Sequence, residues 1–335
     1  MRVLFVGSIT GNSGPTNANR SFVEHWPNED ELILVDGSKA HKMQKLLTGA
    51  LSDVVLTMGP GRPDSLARAA ARARKKPVVG FCHGYIPFEN DVNHLGMSAG
   101  KIQAYKKWLD DCDVVVTNSA LQMRFLVTQQ PSLEGKVAYA NLGIEPFVQR
   151  NGVRSKSGKV VVAVSGGTRP IKANEVVAQA VNILRHRGID ASLDIYGRRY
   201  SPNDELDRLV RSGSGRYLGQ VSRDEFIKGL RDSTVFVMDS RWEPFGLSAL
   251  DAVEAGTSVL LSRNCGVGEV LGLCPSEVVL DCEDPEEVSD RIMALVQSPN
   301  AGRIFEKLDF DAISWHSSAG KLRNICAAAA GVEPI

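Results

Sequence analysis

Short aliphatic runs rich in β-branched residues alternate with longer amphipathic stretches along almost the whole chain, and this rhythm leaves few folds open. Apolar runs at residues 3–6, 32–35, 54–58, 78–81, 114–117 and 137–140 are separated by helical spacers that include 17–26, 65–74, 103–110 and 120–128. Uninterrupted apolar runs divided by helix-length spacers are the signature of strands buried on both faces, hence of a parallel sheet with helices on either side. The rhythm pauses in the polar stretch 151–159, then resumes with runs at 160–164, 192–196, 235–238, 258–261 and 278–280 and a helical stretch at 174–187. A chain of 335 residues exceeds the usual size of one domain. The pattern therefore predicts an α/β protein of two Rossmann-like doubly wound domains, joined near residues 146–158.

Charge and cysteine content remove several functions. Lys+Arg and Asp+Glu both number 39; the first 150 residues hold 17 basic and 14 acidic side chains, leaving 22 and 25 for the rest. Neither half carries the field that nucleic acid or an anionic membrane requires. Apolar residues at 43% and charged residues at 23% exclude global disorder. The six cysteines form no CxxC pair and no zinc-finger spacing with histidine, which implies reduced thiols. The N-terminal apolar run is too short for a secretion signal, and no stretch reaches the ~18 apolar residues of a membrane span. The expected setting is cytoplasmic, with membrane contact at most peripheral.

The chemistry concentrates in the second half. After the run 235–238, the segment Asp239-Ser-Arg-Trp-Glu-Pro-Phe-Gly-Leu passes through a turn and enters a helix at about Leu247. Backbone N–H groups of Phe245, Gly246 and Leu247 then lie at a helix N-terminus, which favours an anion. Glu243 precedes that start and Asp251 follows it by about one turn, so both carboxylates can face one cleft and accept from sugar and ribose hydroxyls. The plainer alternative makes Glu243 a first-turn charge and Asp251 a solvated side chain. Beyond the run 160–164, Gly167, Arg169 and Lys172 offer a guanidinium and an ammonium that can hold two phosphates, or two solvated charges on a turn.

In the first half, the strand at 78–81 leads into His83-Gly, and strand carboxyl ends face the ligand crevice in open α/β sheets. His83 is a candidate site residue or a structural hydrogen-bonder. Gly11, Asn12 and Gly14, in a loop that is not GxGxxG, could bring backbone amides to a ligand or form a plain tight turn. Tyr85 belongs to an aromatic- and Asn-rich stretch, 85–107, suited to choosing an acceptor. Asn118 starts the helix at 120 and is an acceptor-side candidate or simply an N-cap.

Glu243-Pro-Phe-Gly-Leu-Ser-Ala-Leu-Asp251-Ala-Val-Glu-Ala-Gly256 resembles the E-x7-E motif of GT-B glycosyltransferases, most closely that of the large retaining family four; Asp251 stands where that family has Glu. Val161-Val-Ala-Val-Ser-Gly-Gly-Thr-Arg-Pro-Ile-Lys172, Ile195-Tyr-Gly197-Arg198, Tyr217-Leu-Gly-Gln-Val-Ser-Arg-Asp-Glu225, Gly266-Val-Gly-Glu269-Val-Leu, and Phe310 with Ser314-Trp315 resemble further segments of the family in the same order. The resemblance implies a GT-B fold. In it, residues 1–150 form an acceptor-side domain, 151–310 a nucleotide-sugar domain facing it across a cleft, and 311–335 a tail crossing back to the first. It implies transfer of a hexosyl unit from a UDP- or GDP-linked sugar to a carbohydrate, lipid-linked or small-molecule hydroxyl, with retention and with neither metal nor cofactor. Arg169 and Lys172 would clamp the diphosphate, Glu243 orient the sugar, His83 contact it and Asp251 hold the ribose; Gly11, Gly14, Gly167, Gly197 and the 245–247 amides would approach the donor. A nucleotide-sugar epimerase and a non-catalytic nucleotide-sugar-binding protein are the other readings.

Overall fold

The computed structural model describes residues 1–11, 13–36, 51–147, 158–200 and 202–333. They divide into two units: Met1–Glu145 with Asp309–Ile335, and Pro146–Leu308. The expected linker falls mostly on residues 148–157, and Asn12 is likewise outside the described residues.

Unit 1 is a six-stranded parallel sheet of β1 (Arg2–Val6), β2 (Glu31–Val35), β3 (Val54–Thr57), β4 (Val78–Cys82), β5 (Val114–Thr117) and β6 (Val137–Tyr139), in the order β2-β1-β3-β4-β5-β6. Among the described residues its helices are α1 (Gly14–Glu24), α2 (Arg62–Ala73), α3 (Ile86–Val92), α4 (Ala99–Asp111) and α5 (Ala120–Gln129). Unit 2 repeats the plan with β7 (Val160–Val164), β8 (Ala191–Tyr196), β9 (Gly215–Gly219), β10 (Val235–Met238), β11 (Ser258–Ser262) and β12 (Val278–Val279), ordered β12-β11-β10-β7-β8-β9. Between and after these run α6 (Asn174–His186), α7 (Asp204–Arg211), α8 (Arg223–Leu230), α9 (Leu247–Ala255), α10 (Gly268–Leu271), α11 (Pro285–Gln297) and α12 (Ala301–Lys307). The chain closes with α13 (Trp315–Ala330), which packs on α1 in unit 1. The fold class read from the sequence, two Rossmann-like α/β domains, is the one observed.

The apolar runs became strands because both of their faces are covered. Val3, Val54, Val79 and Val116 in unit 1, and Val162, Leu193, Val235 and Leu260 in unit 2, are completely buried. Helix starts follow local capping. Ser13 Oγ accepts from the Thr16 N–H at 3.2 Å, Ser119 Oγ from Gln122 at 3.0 Å, and Ser222 with Glu225 forms a capping box. The cap of α5 is thus Ser119, not Asn118.

The strand order decides where ligands can bind. In each sheet the order reverses about one central strand, β1 in unit 1 and β7 in unit 2, so the loops leaving neighbouring strands diverge and open a crevice at the carboxyl ends. Those crevices fall between β1 and β3, and between β7 and β10.

The return of α13 to unit 1 is fixed by a buried ion pair. The Asp30 side chain, fully buried, accepts from Arg323 Nε at 2.9 Å and Nη2 at 3.2 Å, from the Met1 ammonium at 2.9 Å, and from the Trp26 indole N–H at 3.3 Å. Replacing Arg323 by alanine removes one of the two cations that hold this carboxylate, and should cost about 1–3 kcal/mol. Urea unfolding of Arg323→Ala against the parent checks this: the variant should unfold at lower urea, and an unchanged midpoint would mean that the pair contributes nothing to holding α13.

Candidate functional site

In unit 2 the β7 strand ends at Val164 and the chain turns through Gly166 and Gly167 into a short 3₁₀ turn, Pro170–Lys172. Gly167 has φ +63° and Gly197, at the end of β8, has φ +111°; a Cβ on Gly197 would lie 2.7 Å from the Gly167 nitrogen. The two loops pass back to back, and only glycine fits at either place. Backbone bonds lock them: Gly167 N–H to Tyr196 O at 2.8 Å and Gly197 N–H to Gly219 O at 2.7 Å. Asn174, the first residue of α6, donates to Ser165 O at 3.0 Å and Gly167 O at 2.7 Å.

The facing wall comes from the segment after β10. Arg241 N–H donates to Ile171 O at 2.9 Å, and its guanidinium reaches Pro170 O and Glu175 Oε1, the latter at 2.7 Å. Behind it, Glu243 pairs by backbone with Asn264 and Gly266 at 3.1 and 3.0 Å, and Val267 N–H donates to Phe245 O at 2.8 Å. These ties bring Lys172 Nζ and Glu243 Oε2 into direct contact, both side chains largely buried. Arg169, at the cap of the 3₁₀ turn, holds its guanidinium 5.6 Å from the Tyr200 ring centroid. Ser165 Oγ lies 3.1 Å from Ser248 Oγ and joins the β7 loop to the first turn of α9.

Helix α9 begins as expected at Leu247, with Gly246 as its N-cap at φ +110°. Among the described residues, the N–H groups of Phe245, Gly246 and Leu247 make no hydrogen bond. The Phe245 ring is buried, so only its backbone faces a ligand. Gly167, Gly197, Arg169, Lys172, Glu243 and the start of α9 therefore gather at the carboxyl end of one sheet, at its reversal of strand order.

Asp251 sits one turn into α9 and is held from below. Arg223 Nε donates to Asp251 Oδ1 at 2.8 Å and Arg223 Nη2 to Glu254 Oε2 at 2.6 Å. Burial pushes the Asp251 carboxyl up to about 6, against the pull of Arg223, and the nearby Glu254 charge adds to the rise. Asp239, at the end of β10, is fully buried and neither carboxyl oxygen has a partner among the described residues. Burial drives its affinity for a proton well above the ordinary carboxylate range.

In unit 1 the loop after β1 is strapped to α1: Asn19 Nδ2 donates to Ser8 O at 2.9 Å and Arg20 Nη2 to Gly11 O at 2.8 Å. Gly14 is the first residue of α1. Because the Asn19 amide nitrogen is engaged with Ser8, its Oδ1 faces His83 Nε2 at 2.8 Å, which puts the imidazole proton on Nε2 and the lone pair on Nδ1. Asn118 is buried, and its Nδ2 donates to His83 O at 2.8 Å. That bond holds the strand end, while Asn118 Oδ1 has no hydrogen-bond partner among the described residues. Tyr85 departs from its expected role. Its ring is buried in the unit 1 core against Tyr105 and Phe125, with the hydroxyl 3.5 Å from Gln130 Oε1, because its position follows a buried strand and turns inward.

Arg223 and Asn19, which bond to candidate residues, and Asp239, at the end of β10, were not singled out by sequence reasoning. Arg223 lies in a segment noted for its likeness to a family loop, yet nothing in that segment points to α9. Asn19 leaves one local sign, a polar residue on the buried face of an amphipathic helix. The six cysteines are free thiols, and no helix among the described residues is long and apolar enough to cross a membrane.

Residues 147–307 match the family model described as glycosyl transferases group 1. The chain is 24% identical over 252 residues to D-inositol 3-phosphate glycosyltransferase 1 of Catenulispora acidiphila, covering 68% of this chain and 60% of that protein. It is 27% identical over 217 residues to glycogen synthase of Mycobacterium tuberculosis, covering 61% and 51%. It thus spans about half to three-fifths of the length of these curated relatives. Among solved structures it resembles Anabaena HepE in complex with UDP and glucose, with a TM-score of 0.69, 11% identity, and 98% and 100% of the two chains covered. Sucrose-phosphate synthase from Thermosynechococcus elongatus is similar too, with a TM-score of 0.66 and 14% identity over 98% and 100% of the chains.

Burial holds the His83 imidazole down at about 4, below its ordinary 6.5. The unfolded chain then takes up a proton below about pH 6.5 that the folded chain refuses until about pH 4, so stability is full above that window and falls as pH drops through it. Between pH 7 and pH 5 this group should remove about 2 kcal/mol. Urea unfolding at the two pH values should show a smaller difference in His83→Gln than in the parent; an equal difference would contradict a buried neutral imidazole.

Proposed function

The chain is a GT-B protein similar to the family-four glycosyltransferases, with residues 147–307 as its group 1 glycosyl transferase domain, and from that premise we propose that it moves a hexosyl unit from a UDP- or GDP-linked sugar to an acceptor hydroxyl with retention of configuration. One observation carries this reading. A lysine and a glutamate from two diverging loops meet beside the open N-terminus of α9, at the reversal of strand order. An ammonium and a row of unengaged amides suit a diphosphate, and the carboxylate beside them suits sugar hydroxyls.

As the anomeric bond breaks, positive charge grows on the sugar carbon and negative charge on the departing diphosphate. Lys172, Arg169 and the amides of Phe245–Leu247 stabilise the leaving group without rearranging, because the 3₁₀ turn and the Arg241 ties already hold them. Glu243 orients the sugar and keeps Lys172 in place. Asp251, fixed through Oδ1 by Arg223, offers Oδ2 to the ribose. His83 accepts from a hydroxyl through Nδ1. The acceptor attacks from the face the diphosphate leaves, and its proton passes to a departing phosphate oxygen. In this reading the nucleotide-sugar is a co-substrate and there is neither metal nor cofactor.

Donor turnover measured with and without acceptor alcohols tests the proposal: consumption that needs an acceptor supports it, acceptor-independent conversion indicates an epimerase, and nucleotide binding without turnover indicates a binding protein. A thermal-shift panel of UDP, GDP, ADP and dTDP identifies the base, since stabilisation follows concentration over Kd. Arg169→Ala and Lys172→Ala should each lower kcat by about 10²–10³, the scale of one preorganised charge. Near-normal kcat in either variant would reassign the diphosphate. Turnover should also survive EDTA; loss under chelation that Mg²⁺ or Mn²⁺ restores would show that a metal shares the leaving-group role.

A further inference from the structure

Unit 1 contains a cavity of about 460 Å³ at the carboxyl ends of its central strands. Pro15 reaches it from α1, Gly59 and Pro60 from the loop after β3, and His83 and Gly84 from the end of β4, so it occupies the reversal of strand order about β1. Its wall is apolar, made chiefly by Met58, Phe81, Ile86, Met97, Tyr105 and Trp108. The two aromatic side chains with polar atoms spend them on the protein. The Tyr105 hydroxyl donates to Gly84 O at 2.5 Å, and the Trp108 indole N–H to Asp64 Oδ1 at 3.3 Å. The His83 ring contributes no charge and its Nε2 is committed to Asn19. Among the described lining residues Lys101 alone is charged, and it is exposed in the first turn of α4.

Such a wall selects strongly. A sugar entering it would exchange hydrogen bonds to water for contacts with a wall whose available polar groups, the His83 Nδ1 and the exposed Lys101, are too few to replace them. An aromatic or alkyl body loses nothing of that kind and gains by leaving water. The volume lies in the range that encloses a small organic molecule, and two methionines allow the wall to adapt to its shape.

We propose that this cavity is the acceptor subsite and that it takes a compact apolar alcohol or phenol, held by the burial of its hydrocarbon body. The word acceptor rests on the transferase reading above. In the reaction the alcohol oxygen forms the new bond to the anomeric carbon, the bond from that carbon to the diphosphate oxygen breaks with its electron pair going to the diphosphate, and the alcohol proton passes to the departing phosphate.

Isothermal titration of the full chain with 2-naphthol, and separately with methyl α-glucoside, tests the site without any donor. The naphthol should bind and the glucoside should not at the same concentration. Ala104 lines the cavity from an exposed position on α4, so Ala104→Trp should fill its mouth without disturbing the core. That variant should bind 2-naphthol at least tenfold more weakly and UDP unchanged; Met97→Glu, which sets a carboxylate in the wall, should do the same. Absence of naphthol binding, or equal binding in both variants, overturns the proposal. Turnover of donor onto methyl α-glucoside but not onto 2-naphthol also overturns it, while leaving the transferase reading intact. Naphthol binding that both variants weaken, in a protein that binds no nucleotide, supports the cavity as a site for apolar alcohols and removes the transferase reading instead.

Discussion

Contact between Lys172 and Glu243 is possible only because the unit 2 sheet reverses its order at β7. Loops leaving β7 and β10 part in opposite directions, and a crevice opens where a ladder would otherwise continue. Two long side chains of opposite charge reach across the gap, and backbone ties on either side keep the reach short. The 3₁₀ turn holds Lys172 from behind through Arg241, while the 264–267 loop holds Glu243 through paired backbone bonds. Neither charge could stay ordered at such low exposure without the other, since an unpaired charge there would have to be neutralised or hydrated. The glycine pair Gly167 and Gly197 serves the same end by letting the β7 loop lie directly on the end of β8.

Unit 1 follows the same topological rule with different chemistry. Its crevice lies about β1, but the groups that meet there are an amide, a neutral imidazole and a set of apolar side chains. Asn19 is the pivot. One side-chain amide fixes the loop after β1 through Ser8 and the tautomer of His83 through Oδ1, so a helix residue decides which imidazole nitrogen can accept a hydrogen bond. Asn118 completes the arrangement from the next strand by holding the His83 carbonyl. Unit 2 thus gathers a charged pair and open backbone amides at its strand ends, and unit 1 gathers neutral groups.

Much of this was legible in the sequence because parallel strands carry a strong signal. The runs at 160–164 and 235–238 coincide with β7 and β10, and the helix expected from Leu247 begins there. Gly215–Gly219 escaped as a strand, since its glycines and arginine break the apolar run, and it is held by pairing to β8 instead of by its own composition. Helix α3 was likewise absent from the pattern: seven residues with a proline in the first turn give too little periodicity. Among site residues, those in contiguous motifs could be found; Arg223 and Asn19 could not, because their partners are brought to them by the fold. Tyr85 failed for a related reason. Sequence marked an aromatic residue beside His83 but could not say that it points into the core.

Asp251 shows how such a distant contact alters the meaning of a motif. The resemblance places a glutamate there, and aspartate is one methylene shorter, which by itself would withdraw the carboxylate from a ribose. The fold answers the shortening with Arg223, which grips Asp251 and Glu254 together from the start of α8. Two carboxylates on successive turns of α9 would repel each other; the shared guanidinium makes their proximity tolerable and fixes the direction of the shorter one. Burial still leaves Asp251 with a proton affinity near neutrality, at about 6, so its ionised form is the poorly solvated state of the free protein. A ribose that donated two hydroxyl groups to this carboxylate would supply the hydrogen bonds that burial has taken away. Under the transferase reading proposed above, a donor hydroxyl would therefore matter more to this buried carboxylate than to a solvated one.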